Sequence, residues 1–173
     1  MEEIERFLGE SPPEWAVLVV PLLAFMESCA FVGLFISGIL LLTVSTLLHS
    51  QNIAEPHSMA SLAFLGAVMG DQTGFLVGKL YGNRIWNIQF LRRRASGKEK
   101  FEKLMVSNAP WAIFVGRFIP AVRSITPILA GLANISPKKF IVYDLVACAF
   151  WAIGLYLLVI SLGSVQFFSF SSS

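Results

Sequence analysis

Between Trp15 and Leu48 the chain carries a single charged residue, Glu27. A straight helix over that stretch would be about 50 Å long at ~1.5 Å per residue, against a bilayer core of roughly 30 Å, so one simple span does not fit. Gly33 and the pair Ser37-Gly38 fall in the middle of it, which makes a broken helical hairpin, re-entrant or fully spanning, the economical reading, with Pro21 adding a kink. The composition agrees: 55% of the 173 residues are hydrophobic, 14% are charged and the mean hydropathy is +0.70. Soluble domains carry about 25% charged residues, so the chain reads as an integral membrane protein. Its length allows one compact domain of a few spans and excludes a separate soluble catalytic lobe.

The other segments follow from hydropathy and charge. An acidic stretch, residues 1–14, precedes the first hairpin at 15–48 and does not have the build of a signal peptide, so the first apolar segment is expected to remain in the protein. A span is expected over 59–82, where Gly70, Gly74 and Gly78 recur every fourth residue and mark one helix face for close packing. Residues 84–107 mix Arg84, Arg92, Arg93, Arg94, Lys98, Lys100 and Lys103 with Trp86, Phe90 and Phe101, a basic amphipathic connector for the cytoplasmic interface. Lying between two membrane segments, it is not read as a nucleic-acid site. A second broken hairpin is expected over 109–135 and a last span over 140–164, followed by a tail at 166–173, with 15–165 forming a single membrane domain. Basic residues flank both ends of 109–135, so a re-entrant hairpin keeps Lys138 and Lys139 cytoplasmic. The expected fold is all-α: two inverted repeats, each a re-entrant hairpin plus a span, joined by the connector. A plain bundle of spanning helices is the alternative.

While Lys79 can snorkel, four charges form the central set inside the apolar segments: Glu27, Asp71, Arg117 and Arg123. Each costs about 2.5–3.5 kcal/mol on insertion scales and calls for a partner, a watery cavity or a role. The four could neutralise one another as buried pairs. However, Arg117 and Arg123 flank Pro120, with Pro127 beyond, so the backbone must break there and is expected to offer unpaired amides. Two guanidiniums beside such a break suit a phosphate or another oxyanion. A carboxylate in a low-dielectric site can exchange protons near neutral pH, which assigns Glu27 and Asp71 to proton coupling. Asp144, close to Lys138 and Lys139, reads as an interfacial charge; Tyr143, Trp86, Trp111 and Trp151 read as anchors or packing, and Cys29 and Cys148 as small buried hydrophobes. No metal or cofactor motif is recognised.

The segment Phe114-Val115-Gly116-Arg117-Phe118-Ile119-Pro120-Ala121-Val122-Arg123, continuing through Pro127 to Ala130-Gly131, resembles the F-x-x-R-F-x-P-x-x-R-x-x-x-P-x-x-A-G signature of the DedA family. Glu27-Ser28 before Gly33 and Gly38, and Gly70-Asp71 before Gly74 and Gly78, resemble its two earlier motifs in the same order, so the likeness covers roughly 15–165. The resemblance implies membership of the VTT, or SNARE-associated, domain superfamily and a fold of two opposed re-entrant hairpins with membrane spans. It implies a lipid transporter of the cytoplasmic membrane moving undecaprenyl phosphate or a related phospholipid, driven by proton-motive force. By the same resemblance Glu27 serves proton coupling, and Arg117 and Arg123 hold the phosphate. One departure stands out: many members have Pro-Gly-Asp where this chain reads Ser37-Gly38-Ile39, so either Asp71 takes over that acid's role or coupling differs here.

Two other classes compete. A small ion or solute transporter coupled to proton-motive force would use the same charges without a lipid. An enzyme such as a lipid phosphatase would want a histidine or a metal cluster beside the arginines, yet His49 and His57 lie in an outer loop, so no enzyme is expected. The expected partners are the lipid phosphate and the bilayer.

Overall fold

The computed structural model describes residues 14–29, 38–85 and 95–170, and all regular structure among them is helical. After a 3-10 turn at Glu14–Leu18, the elements are α1 (Val19–Ser28), α2 (Gly38–Ser50), α3 (Pro56–Ile85), α4 (Ala95–Phe118), a single turn α5 (Pro120–Arg123), α6 (Thr126–Leu132) and α7 (Pro137–Phe170). Gly33, Trp86, and Arg92 to Arg94 lie outside the described residues.

Element lengths follow the apolar runs and their breakers. Two stretches, Pro56–Tyr81 and Pro137–Leu162, are apolar over 26 residues each, about 39 Å at ~1.5 Å per residue and enough to cross a bilayer. By contrast α1 and α2 have 10 and 13 residues, about 15 and 20 Å, and neither crosses alone. Pro21 sits in the first turn of α1, where its missing N–H breaks few helical bonds; the expected kink is a change from 3-10 to α geometry just before it. In α4 the backbone leaves helical geometry at Asn108 (φ −144°, ψ 54°), two residues before Pro110, so the basic stretch and the apolar stretch are separate helical pieces.

The long α3 is the centre of the packing, with α1 and α6 laid along it and α7 against its other side. Its glycine stripe is longer than the sequence reading had it. Gly66 faces the backbone of Pro21 and Gly70 that of Phe25, whereas Gly74 and Gly78 face Pro127 and Ile128. A Cβ on Gly78 would fall 2.2 Å from the Ile128 carbonyl oxygen, so only glycine lets α6 come this close. One helix face thus receives both short broken segments, α1 on its first half and α6 on its second.

The apolar contacts form two levels with a polar level between them. Val20 and Ala24 of α1, Leu41 and Leu48 of α2, Met59, Ala63 and Ala67 of α3, and Leu155 and Val159 of α7 make one core. Phe75, Ala112, Ile113, Ala130 and Phe140 make the other, with the Phe75 and Phe140 rings stacked at 4.3 Å. These pairings run α3 and α7 antiparallel. They also show that the chain leaves the second core at Ile113 and is back in it at Ala130, with Arg117 and Arg123 between. In the same way it leaves the first core at Ala24 and is back in it at Leu41, with Glu27 between.

Candidate functional site

The polar level is built by breakers placed beside charges. Pro120 cannot donate to a helical carbonyl and pushes the residue before it out of the α region, and Ile119 is accordingly extended (φ −96°, ψ 108°). On an unbroken helix, residues six apart would point about 120° away from each other. The break lets both arginines approach the same ring, the guanidinium carbon of Arg123 at 4.5 Å and that of Arg117 at 5.6 Å from the Trp151 centroid. The expected free amides are another matter. The N–H groups of Val122 and Arg123 both reach the Ile119 carbonyl and that of Ile125 reaches Val122, so a tight turn satisfies them locally. These amides are therefore not free, and the unpartnered donors near this break are on side chains.

Arg117 Nη1 donates to Asp71 Oδ2 and lies 3.6 Å from Asp144 Oδ1, while Arg123 Nη1 donates to Glu27 Oε1. All five charged residues are buried, from 0% exposure at Asp71 to 8% at Arg123. The four charges singled out in the sequence thus come together as two ion pairs, with both arginines against the Trp151 ring. Gly38 opens α2 directly against Glu27: a Cβ there would sit 2.7 Å from Oε1.

Pairing uses only part of each guanidinium. Nε and Nη2 of both Arg117 and Arg123 are buried without a hydrogen-bond partner, as are Glu27 Oε2, Asp71 Oδ1 and the hydroxyls of Ser28, Ser45 and Ser124. Buried polar groups are nearly always satisfied, and a charged donor left unmade costs more than a neutral one. Four guanidinium nitrogens, on two side chains sharing one ring, are thus left without an acceptor.

Two sequence readings need correction, and a third is narrowed. Asp144 is not interfacial: it is 2% exposed, accepts from Gln72 Nε2 at 3.0 Å and borders Arg117. Cys148 is not merely apolar filling, since its Sγ lies 3.7 Å from both Asp71 Oδ2 and Asp144 Oδ1. Of the two readings of Trp151, anchor or packing, the structure gives packing, and what packs on it is both arginines. The signal for all three was in the spacing, because 144, 148 and 151 fall at i, i+4 and i+7 on one face of α7. Elsewhere Tyr143 packs on the second core, Trp111 is 67% exposed, Cys29 is half-buried, and Pro127 and Gly131 are buried in α6 against α3. Asp71, Asp144 and Cys148 also bring ligand atoms within 4.8 Å of one another, a donor set drawn from two helices and so invisible as a sequence motif.

Compared with known proteins, residues 30–161 match the VTT domain family model, a region that includes Asp71, Arg117, Arg123 and Asp144 and begins just after Glu27. The chain belongs to the DedA family of VTT-domain membrane proteins. It is 28% identical over 149 residues to the inner membrane protein YabI of Escherichia coli, covering 86% of this chain and 58% of YabI. It is also 28% identical over 144 residues to the protein DedA of Escherichia coli, covering 80% of this chain and 65% of DedA. An uncharacterized membrane protein of Buchnera aphidicola is 29% identical over 139 residues, 79% of this chain and 54% of that protein. The chain thus spans somewhat over half the length of these family members. No solved structure matches it at a significant level. Family membership and two helices of spanning length together make this a membrane protein.

Proposed function

We propose that this DedA family member is a multi-pass transporter of the cell membrane that carries a lipid phosphate, undecaprenyl phosphate or a related phospholipid, across the bilayer. The observation that carries the proposal is the pair of buried arginines over Trp151, each holding two unpartnered donors. A phosphate oxygen accepts from a guanidinium fork in the way that a carboxylate does, so the head group competes with Asp71 and Glu27 for the same side chains. A carboxylate displaced in this way is left buried without its counter-charge and takes a proton, which couples head-group entry to proton uptake. The lipid tail stays in the bilayer throughout and no bond is broken; His49 and His57 play no part in this reading.

The path of the chain supports the inverted-repeat reading. Residues 109–135 run from the second core to the polar level and back, and α1 and α2 both join the first core at the opposite end of antiparallel α3 and α7, with Glu27 at the polar level, as two opposed re-entrant hairpins would. The Phe75–Phe140 stack puts Lys138 and Lys139 at the same end of the bundle as Lys79, and the positive-inside bias makes that end cytoplasmic.

The test is binding of polyprenyl phosphate to the protein in nanodiscs, with the unphosphorylated alcohol as control. The native chain binds the phosphate and not the alcohol, Arg117→Ala and Arg123→Ala each lose at least tenfold in affinity, and Glu27→Gln, which leaves Arg123 free, does not. Equal binding of alcohol and phosphate would contradict the proposal. One observation favours a second reading, an ion or solute transporter driven by proton-motive force: both arginines already have an acid, so neither guanidinium needs a lipid phosphate as its counter-charge. Indifference of phosphate binding to both arginines would select it.

A further inference from the structure

The ion-pair reading assigns one acid to each arginine and leaves Asp144 over. Its carboxylate faces Arg117, Asp71 and Gln72 from the neighbouring helices and Cys148 from its own, while Arg123, paired with Glu27, shares the Trp151 ring with Arg117. Arg117 is thus the cation in contact with both aspartates, and its bond goes to Asp71. Lys79, Lys138 and Lys139, the nearest lysines along α3 and α7, are exposed and outside the cluster. The sum over Glu27, Asp71, Asp144, Arg117 and Arg123 is −1 with all of them ionised and zero with one proton added.

We propose that Asp71 and Asp144 share a single proton beside Arg117, so that this carboxyl pair holds a proton before any head group enters. Two carboxylates whose oxygens approach within 4.8 Å, at 0% and 2% exposure, cannot both stay charged on one guanidinium. Gln72 fixes one oxygen of Asp144 as an acceptor. The proton therefore lies on the side facing Asp71, where it hydrogen-bonds between the two acids. The proton comes from water, and no bond within either residue is made or broken beyond that O–H. The same donor set would suit a divalent cation, but the positive charge such an ion brings is already there in Arg117. The sharing stands on geometry and charge count alone, whereas its part in coupling rests on the transport reading above.

Infrared spectroscopy of the full chain in nanodiscs at neutral pH reads this directly, through the carbonyl stretch of a protonated carboxylic acid and its shift in deuterated water. The native protein shows one such band. Asp144→Asn and Asp71→Asn each lose it, because the remaining aspartate then has Arg117 to itself, while Glu27→Gln keeps it. Asp144→Glu, which restores the acid, brings the band back and so separates loss of the proton from loss of the fold. No band in the native protein, a band surviving either asparagine variant, or a metal ion that co-purifies and departs with Asp144→Asn would overturn the proposal. Polyprenyl phosphate binding on the same samples keeps the two inferences apart: binding without the band removes the shared proton and leaves the carrier, and the band without binding does the reverse.

Discussion

Arg123 has its guanidinium charge, its ring contact and its partner within one small volume, and removing any one of them changes what the others cost. Truncating it strands Glu27 at 5% exposure with no counter-charge. Breaking a buried pair in this way costs about 3–5 kcal/mol, whereas replacing both partners with groups of similar shape costs far less. We therefore expect Arg123→Met to lower the thermal unfolding midpoint in detergent markedly and the double variant Glu27→Gln, Arg123→Met to recover most of it; equal losses in both would show that the pair does not neutralise itself as described. Charges at this scale are easy to read from sequence when they interrupt an apolar run, which is why Glu27, Asp71, Arg117 and Arg123 stand out. Asp144 was masked by its nearness to Lys138 and Lys139, which makes an acid look interfacial. What decides its place is the rotation of α7, which turns 144, 148 and 151 inward and 138 and 139 outward.

Helices meet in this protein through missing side chains more than through large ones. Along α3, Gly66 and Gly70 admit α1 and Gly78 admits α6, with backbone against backbone. A leucine at position 78 would have to push α6 away and with it the turn that holds Arg123. Overpacking of this kind costs about 1–3 kcal/mol even where neighbours can yield, and a carbonyl oxygen yields less than a side chain. Gly154 on α7 faces open space, so Gly154→Ala is the matched control and should change stability by no more than about 1 kcal/mol, in the favourable direction that helix propensity gives. Unfolding midpoints of the two variants check this; equal effects would mean that the stripe is not a packing surface. The four-residue spacing made the stripe legible, yet not what it meets, because α1 and α6 are far apart in sequence and both too short to announce themselves as neighbours. The prolines announced the break at 119–125 but not that the turn would close its own amides.

Taken whole, the described residues put two cores of plain hydrocarbon on either side of one level of charge. Hydropathy exposed the segments, and the excess length of 15–48 showed that one of them had to be broken. The register that brings Glu27 to Arg123 and Asp71 to Arg117 was not legible, since it depends on the depth at which each segment turns, and depth leaves no mark in composition. This arrangement makes sense as a device if a phosphate enters from one side, exchanges with the carboxylates over Trp151 and leaves on the other. Proteoliposomes loaded with a fluorescent polyprenyl phosphate test it most directly, by the rate at which the lipid becomes accessible to a quencher outside, with and without an imposed pH gradient. The account predicts movement that the gradient accelerates, that Arg117→Ala and Arg123→Ala each reduce at least tenfold, and that the corresponding alcohol does not share. Movement of the phosphate at the same rate in protein-free vesicles, or undiminished in both arginine variants, would contradict it.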